Sequence, residues 1–135
     1  MATDPRIAYL DSSALVKLIA IEAHSAALRQ ELRHWQDRAS SLLARIEVTR
    51  TATRLGGHAP EEAARVLARL RLLAIDPIAP AAAQIGSRSL RSLDAIHLAT
   101  AMSIANQLGA LITYDQRMIS EAQSIGLPVL SPAAT

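Results

Sequence analysis

The sequence contains no cysteine and no phenylalanine, and only 2% of its residues are aromatic. Without cysteine the chain can form no disulfide, no thiolate nucleophile and no Cys-ligated zinc site, which fits a reducing compartment. With so few aromatic side chains, extended stacking of nucleic-acid bases on aromatic rings is not expected.

Long apolar runs are also missing. No stretch of eighteen uninterrupted apolar residues occurs, so no membrane span is predicted. The N-terminal segment "MATDPRIAYLD" lacks a charged region followed by a long apolar region, so no signal peptide is predicted either. We therefore expect a cytoplasmic protein.

The charge balance is mildly basic, with a formal net charge of +2 over 135 residues. This excess permits a polyanionic partner but does not require one. Half of the residues are hydrophobic, which is enough for one sizeable core. A length of 135 residues is too short for two ordinary domains. We therefore predict a single domain over residues 1–135.

The first half of the chain shows apolar periods typical of a strand and then of helices. Residues 7–10 are predicted to form a buried strand that leads into a helix near Ala14, with Ser12 and Ser13 as caps. Residues 24–38 and 40–55 are each predicted to form a helix, and a third helix follows Pro60. Gly56 and Gly57 supply the stop after the second.

The second half continues the alternation of strands and helices. Residues 72–78 are predicted to contain a short strand, and Ser92 is predicted to cap a buried helix that ends before Gly109. Residues 110–115 form the next strand, residues 116–125 a helix stopped at Gly126, and residues 127–130 an edge strand. The pattern predicts a three-layer α/β/α domain with a mainly parallel central sheet.

Four acidic residues occupy positions where a charge needs an explanation. Asp11 and Asp115 follow predicted strands, Asp94 lies in the first turn of a buried helix, and Glu47 lies inside a helix. The carboxyl ends of parallel strands line one crevice, so Asp11 and Asp115 point to the same edge. Few cations are nearby in sequence, and an oxygen-only site favours Mg²⁺ or Mn²⁺ over zinc.

Each acid also has an ordinary structural explanation when it is considered alone. Asp94 can favour a helix N-terminus, Glu47 can pair with Arg50 one turn away, and Asp11 and Asp115 can be turn residues. The four together are harder to explain independently. The joint pattern favours a divalent metal site of the kind that activates water at a phosphate.

Other polar residues are explained more simply. His97 could act as a ligand or base, but its position among apolar residues of one helix favours a satisfied core histidine. The arginines at positions 65, 69, 71, 88 and 91 could bind phosphates, although such runs are more often solvated helix faces.

Four motifs, in order, resemble those of the PIN-domain ribonucleases, and within them the VapC-type toxins of bacterial type II toxin–antitoxin pairs: "YLDSSALVKL", "IEVTR", "LRSLDAIHLATAM" and "LITYDQRM". The resemblance covers essentially the whole chain. It implies a PIN-like α/β/α domain and a Mg²⁺-dependent endoribonuclease that hydrolyses an RNA phosphodiester with metal-activated water.

The resemblance also implies roles for individual residues. Asp11, Asp94 and Asp115 would hold one or two ions directly, while Glu47 would bind through water or orient the nucleophile. Hydroxyl groups near such sites correspond here to Ser12, Ser13 and Thr113.

Partners follow from the same resemblance. Family members usually form homodimers and are held inactive by a cognate VapB-type antitoxin that fills the acidic groove. The uncharged helix from residue 95 onward is consistent with either a buried core or a dimer interface.

Two alternatives remain open from the residues. A haloacid-dehalogenase-like phosphohydrolase also places an Asp after its first strand, but it needs a second Asp two residues later, where this chain has Ser13. A degenerate or receiver-like module would bind a metal or a partner and cleave nothing.

Overall fold

Five parallel strands form the central sheet of the computed structural model, which describes residues 6–134. The first five residues and Thr135 of the predicted domain lie outside the described part. The strands are β1 (Ile7–Leu10), β2 (Asp37–Ser41), β3 (Arg71–Leu73), β4 (Leu108–Ile112) and β5 (Val129–Leu130). Their spatial order is β3-β2-β1-β4-β5, so the apolar β1 lies at the centre, where both faces of a strand are covered.

The helices cover both faces of this sheet. They are α1 (Ser12–Ile19), α2 (Ser25–Leu32), α3 (Leu43–Leu55), α4 (Ala59–Ala68), α5 (Ala79–Ala82), α6 (Ser92–Ser103) and α7 (Gln116–Ser124). Helices α1 to α4 bury their apolar sides with Ala8 and Leu10 on one face. Helices α6 and α7 do so with Ile7 and Tyr9 on the other. The predicted three-layer α/β/α fold is confirmed.

One strand was missed by the sequence prediction. The helix predicted over residues 24–38 is wrong beyond Leu32, where α2 ends, and Asp37–Ser41 forms β2 instead. This strand is polar, and it is held by its position between β1 and β3 and by a hydrogen bond of 2.7 Å from Ser40 Oγ to the Leu10 carbonyl. Since β2 ends at Ser41, the helix predicted from residue 40 begins only at Leu43.

The predicted helix ends are partly right. Helix α3 stops at Gly56 and α7 stops just before Gly126, and both glycines have positive φ angles that other residues rarely adopt. However, α6 ends at Ser103, and Gly109 lies within β4 rather than after the helix.

The three predicted helix caps are wrong, and Ser13 is the second residue of α1. Ser12 and Ser92 are the first residues of α1 and α6, and the N-cap positions belong to Asp11 and Arg91. The strand predicted within residues 72–78 is confirmed only at its start, because a 3-10 turn follows over Asp76–Ile78. Within residues 6–134, no helix is both long enough and apolar enough to cross a membrane.

Candidate functional site

The fold places three of the four predicted acids at the carboxyl edge of the central strands. Asp11 directly follows β1, and Asp115 lies three residues beyond the end of the adjacent strand β4. Asp94 lies in the first turn of α6, on one side of the sheet. Glu47 comes from α3, which belongs to the helical layer on the other side.

Asp11 is a buried carboxylate, with only 3% of its surface exposed. Its Oδ1 accepts hydrogen bonds from Ser13 Oγ at 2.6 Å and from the Ala14 amide at 3.1 Å, so the side chain caps α1. Its Oδ2 accepts one from Thr113 Oγ1 at 2.6 Å. Burial raises the pKa of the Asp11 carboxyl, although these three donors oppose the shift.

Ser13 and Thr113 join the ends of β1 and β4. Their hydroxyl oxygens lie 3.3 Å apart, and the backbone amide of Tyr114 donates to Ser13 Oγ at 2.9 Å. The amide of Asp115 donates to Thr113 Oγ1 at 3.2 Å. Two of the three predicted hydroxyl residues thus contact the acids or their backbone, while Ser12 lines the groove beside them.

Asp94 is half-buried, and no hydrogen bond to its carboxylate forms among residues 6–134. Burial is the largest cause that raises the pKa of the Asp94 carboxyl, and the charges of Asp115 and Asp11 raise it further. Glu47 adds a smaller contribution in the same direction. The other three predicted acids are therefore electrostatic neighbours of Asp94, and like charges at this range disfavour the ionised form.

Asp115 caps helix α7. Its Oδ1 accepts from the backbone amides of Arg117 at 2.8 Å and Met118 at 3.4 Å. Satisfying free amides at the start of a helix is the ordinary function of an N-cap aspartate. The explanation of Asp115 as a turn residue and its proposed role as a metal ligand are thus compatible, because only one carboxylate oxygen is used by the cap.

Glu47 does not pair with Arg50, the ordinary explanation that the sequence suggested. Its Oε1 lies 2.8 Å from Nε2 of His97, and Nδ1 of the same ring lies 2.7 Å from the hydroxyl of Tyr9. Tyr9 and His97 are almost completely buried, and 18% of the Glu47 side chain is exposed. The geometry fits the prediction that His97 is a core histidine whose ring nitrogens are both hydrogen-bonded. The sequence did not reveal that one of its two hydrogen-bond partners is Glu47.

Among residues 6–134, lysine and arginine side chains do not neutralise the four acids. In the described part of the chain, neither lysine nor arginine forms an ion pair with any of the four acids, and Lys17 pairs with Glu22 instead. Carboxylate oxygens and nothing softer form the donor set, which suits a hard divalent cation. Within residues 6–134, no three His, Cys, Asp or Glu side chains are gathered so as to hold a metal ion.

A groove of about 620 Å³ opens beside Glu47, between α1 and α3. Its lining includes the basic Arg50, the apolar Leu93 and the acidic Glu22, in addition to Glu47 itself. A second groove, of about 600 Å³, contains Arg65 and Arg69 but none of the four acids. Of these two arginines, Arg65 pairs with Glu62 at 2.8 Å.

Comparison with known proteins identifies the family to which the chain belongs. The sequence profile of the PIN domain matches residues 8–123. Ribonuclease VapC46 of Mycobacterium tuberculosis is 46% identical over 126 residues, covering 93% of this chain and 97% of its own length. Ribonuclease VapC47 of the same species is 40% identical over 132 residues, with the same shares covered.

Solved structures agree in fold. A toxin–antitoxin complex from Klebsiella pneumoniae contains a chain that aligns with a TM-score of 0.73 at 26% identity, covering 95% of this chain and 99% of that one. VapC20 of M. tuberculosis, a toxin that cleaves the sarcin–ricin loop, aligns with a TM-score of 0.69 over 93% of this chain and 99% of its own. Since it is only 14% identical, it supports the fold alone. The chain belongs to the PIN-domain family, and its close relatives there are VapC-type ribonucleases.

Proposed function

We propose that the protein is a metal-dependent endoribonuclease and the toxin of a type II toxin–antitoxin pair. The observation that carries the proposal is the placement of Asp11 and Asp115 after the adjacent strands β1 and β4, with Asp94 at the start of α6, in a chain whose relatives are VapC-type ribonucleases. Such nucleases are generally metal-dependent. A cluster of carboxylates that destabilise one another's charge without a cationic partner is the environment in which a divalent cation binds favourably.

Magnesium fits this donor set, and manganese is the alternative cation with the same preference for oxygen. Asp11, Asp94 and Asp115 would hold the cation, and Glu47 would contact it through water or orient the attacking water. The cation, when bound, would lower the pKa of a water molecule and neutralise charge on the phosphate. Because the acids are not already gathered into a cage, binding through three of them requires their side chains to converge.

The chain's own residues would prepare that site in distinct ways. Ser13 and Thr113 fix both oxygens of Asp11, so its carboxylate cannot rotate freely. Asp115 is fixed through one oxygen by the α7 cap, and Asp94 is the least constrained of the four. Arg50, which lines the groove beside Glu47, would contact the phosphates of an RNA strand bound there.

Partners follow from the same proposal. The toxin would act in the cytoplasm on RNA and be inhibited there by a VapB-type antitoxin. We further propose a homodimer of single-domain chains, because Leu93 and Met102 of α6 and Ile46 of α3 leave 49%, 39% and 58% of their surfaces exposed. Size-exclusion chromatography with light scattering would test this, and a monomer at micromolar concentration would contradict it.

The activity itself is tested by incubating labelled RNA with the protein in Mg²⁺ or in EDTA. We expect cleavage only with the cation. We expect Asp94→Asn to lower the cleavage rate on the order of 10²-fold or more, because it removes a negative charge that would hold the cation.

Asp76→Asn is the matched control, since Asp76 is an exposed acid in the 3-10 turn and is not among the charges that shift the pKa of Asp94. Its rate should equal that of the wild type. Cleavage that persists in EDTA, or that survives Asp94→Asn, would contradict the metal-nuclease proposal. Metal binding without cleavage of any RNA would instead favour a non-catalytic binding module.

A further inference from the structure

A chain of hydrogen bonds runs from the buried core to the candidate site. It begins at the Tyr9 hydroxyl in β1, continues through both ring nitrogens of His97 in α6, and ends at Oε1 of Glu47 in α3. The two links measure 2.7 and 2.8 Å, both within the range of strong hydrogen bonds. These two hydrogen bonds therefore connect the central strand with one helix from each layer.

Packing fixes the first two members of this chain. Tyr9 has no exposed surface and His97 has 1%. Their rings meet edge to face, with centroids 5.8 Å apart and an interplanar angle of 74°. Neither ring can turn without disturbing the core, so the direction of His97 Nε2 toward α3 is set by the fold.

The direction of the hydrogen bonds follows from what each group can donate. The Glu47 carboxylate, when ionised, can only accept, so Nε2 of His97 must carry a proton. In a neutral imidazole Nδ1 is then an acceptor, and the Tyr9 hydroxyl donates to it. In an imidazolium both nitrogens donate, and Nε2 still donates to Glu47.

Glu47 is thus constrained through one oxygen alone. Oε1 receives the imidazole N–H, whereas Oε2 has no hydrogen-bond partner among residues 6–134. Glu47 comes from a helix whose neighbouring side chains Ile46 and Arg50 are exposed, so its own element gives little restraint on its rotamer. The restraint comes from the opposite layer.

We infer that Tyr9 and His97 are positioning residues, which together hold the Glu47 carboxylate in one orientation and leave its second oxygen for the site. The expected effect on catalysis rests on the proposed function. The structural content of the inference, a fixed Nε2–H tautomer bonded to Glu47, can be measured without any RNA cleavage. Outer contacts of this kind commonly change metal affinity or activity by about 10- to 100-fold when they are removed.

Two substitutions of His97 distinguish the hydrogen bond to Tyr9 from the hydrogen bond to Glu47. In His97→Gln the amide nitrogen can take the place of Nε2 and donate to Glu47. In His97→Asn the shorter amide reaches only the Tyr9 side, so the Glu47 contact is lost. Both variants bury one amide at the same place, so their effects on stability should be similar.

We expect His97→Asn to lower kcat at least tenfold more than His97→Gln, with KM for RNA changed less than twofold by either. We also expect calorimetric titration with Mn²⁺ to show weaker binding to His97→Asn than to His97→Gln. Tyr9→Phe should lower kcat less than His97→Asn does, and the Nε2–H tautomer of His97, seen by ¹⁵N NMR, should persist because Glu47 still accepts from it.

Leu111→Val serves as the control for stability. Leu111 pairs in register with Tyr9 and is buried on the same face of the sheet. The variant should lower the midpoint of thermal unfolding while leaving kcat and Mn²⁺ affinity unchanged at a temperature where it is folded.

Equal losses of kcat and Mn²⁺ affinity in His97→Asn and His97→Gln would overturn the inference, and so would an Nδ1–H tautomer in the wild type. If the wild type cleaves no RNA, the proposed function fails by itself. In that case the tautomer of His97, and the difference in Mn²⁺ affinity between His97→Asn and His97→Gln, still decide whether Tyr9 and His97 position Glu47.

Discussion

Asp11 shows how one residue can serve both the fold and the site. As the N-cap of α1 it satisfies the amide of Ala14, and it lies where the central strand ends. Burying a charge in this position is unfavourable, which is why the pKa of the Asp11 carboxyl is raised despite three donors. The hydrogen bonds from Ser13, Thr113 and the Ala14 amide offset part of this cost.

Replacing Thr113 with valine tests that statement. Thr113→Val removes the donor to Asp11 Oδ2 while nearly conserving shape, and we expect a loss of about 1–3 kcal/mol in the free energy of unfolding. Losing this donor raises the pKa of Asp11 further, so the destabilisation should be larger at pH 8, where the ionised form is required, than at pH 5.

Urea unfolding at both pH values measures the effect. Thr53→Val is the matched control, because the Thr53 hydroxyl bonds only to the Thr49 carbonyl on an exposed part of α3. Its effect should be small and equal at the two pH values. A pH-independent loss for Thr113→Val would contradict the assigned contact.

At the residue scale, the sequence predicted the acids but not their partners. A single carboxylate after an apolar strand, or in the first turn of an uncharged helix, is visible in one stretch of sequence. The contact between Glu47 and His97 joins positions 50 apart, and that between Tyr9 and His97 joins positions 88 apart. A tyrosine and a histidine inside apolar segments were the available signal, because buried polar groups need partners.

At the scale of elements, β2 shows where periodicity fails. The segment "DRASS" has no apolar alternation, and the residues before it continue the helical pattern of α2. Its last three residues are nevertheless buried, because two neighbouring strands and both helical layers surround them. Tertiary context decides such a strand, and local propensity does not. The central strands β1 and β4, in contrast, are apolar and were predicted.

Asp115 provides a prediction at this scale, since it begins α7. Asp115→Asn keeps an oxygen that can accept from the Arg117 amide, so the cap and the stability should be preserved. Asp115→Ala removes the cap and should cost about 1 kcal/mol in the free energy of unfolding. Both variants remove the charge, and both should lose RNA cleavage on the order of 10²-fold or more.

Urea unfolding and a cleavage assay on the same two preparations make the comparison. If Asp115→Asn cleaves RNA like the wild type, Asp115 is a structural cap and does not contribute to the metal site. If Asp115→Asn is as unstable as Asp115→Ala, the cap contact is assigned wrongly.

At the scale of the whole molecule, the acidic site should make stability depend on pH and on divalent cations. The pKa values of Asp11 and Asp94 are both raised by folding. The folded state therefore binds these protons more tightly than the unfolded state. Their contribution to stability is complete below the unfolded carboxyl pKa of about 3.9, and it is lost as pH rises through the folded pKa values.

A divalent cation should offset this loss. At pH 7.5, Mg²⁺ at 100 times its Kd should add about 2.7 kcal/mol, whereas at pH 5 proton competition should make the gain smaller. Thermal unfolding in EDTA and in Mg²⁺ at the two pH values measures the stabilisation by the cation. NaCl at matched ionic strength is the control for screening. Equal effects of Mg²⁺ and NaCl at pH 7.5 would contradict a specific site.

The central claim is that three carboxylates from separate elements, those of Asp11, Asp94 and Asp115, hold a divalent cation. Anomalous diffraction from crystals soaked in Mn²⁺ tests this most directly. The account predicts a peak at the carboxyl edge of β1 and β4, bonded to oxygens of Asp94, Asp115 and Asp11. A peak bonded to none of them, or no peak at that edge at millimolar Mn²⁺, would contradict it.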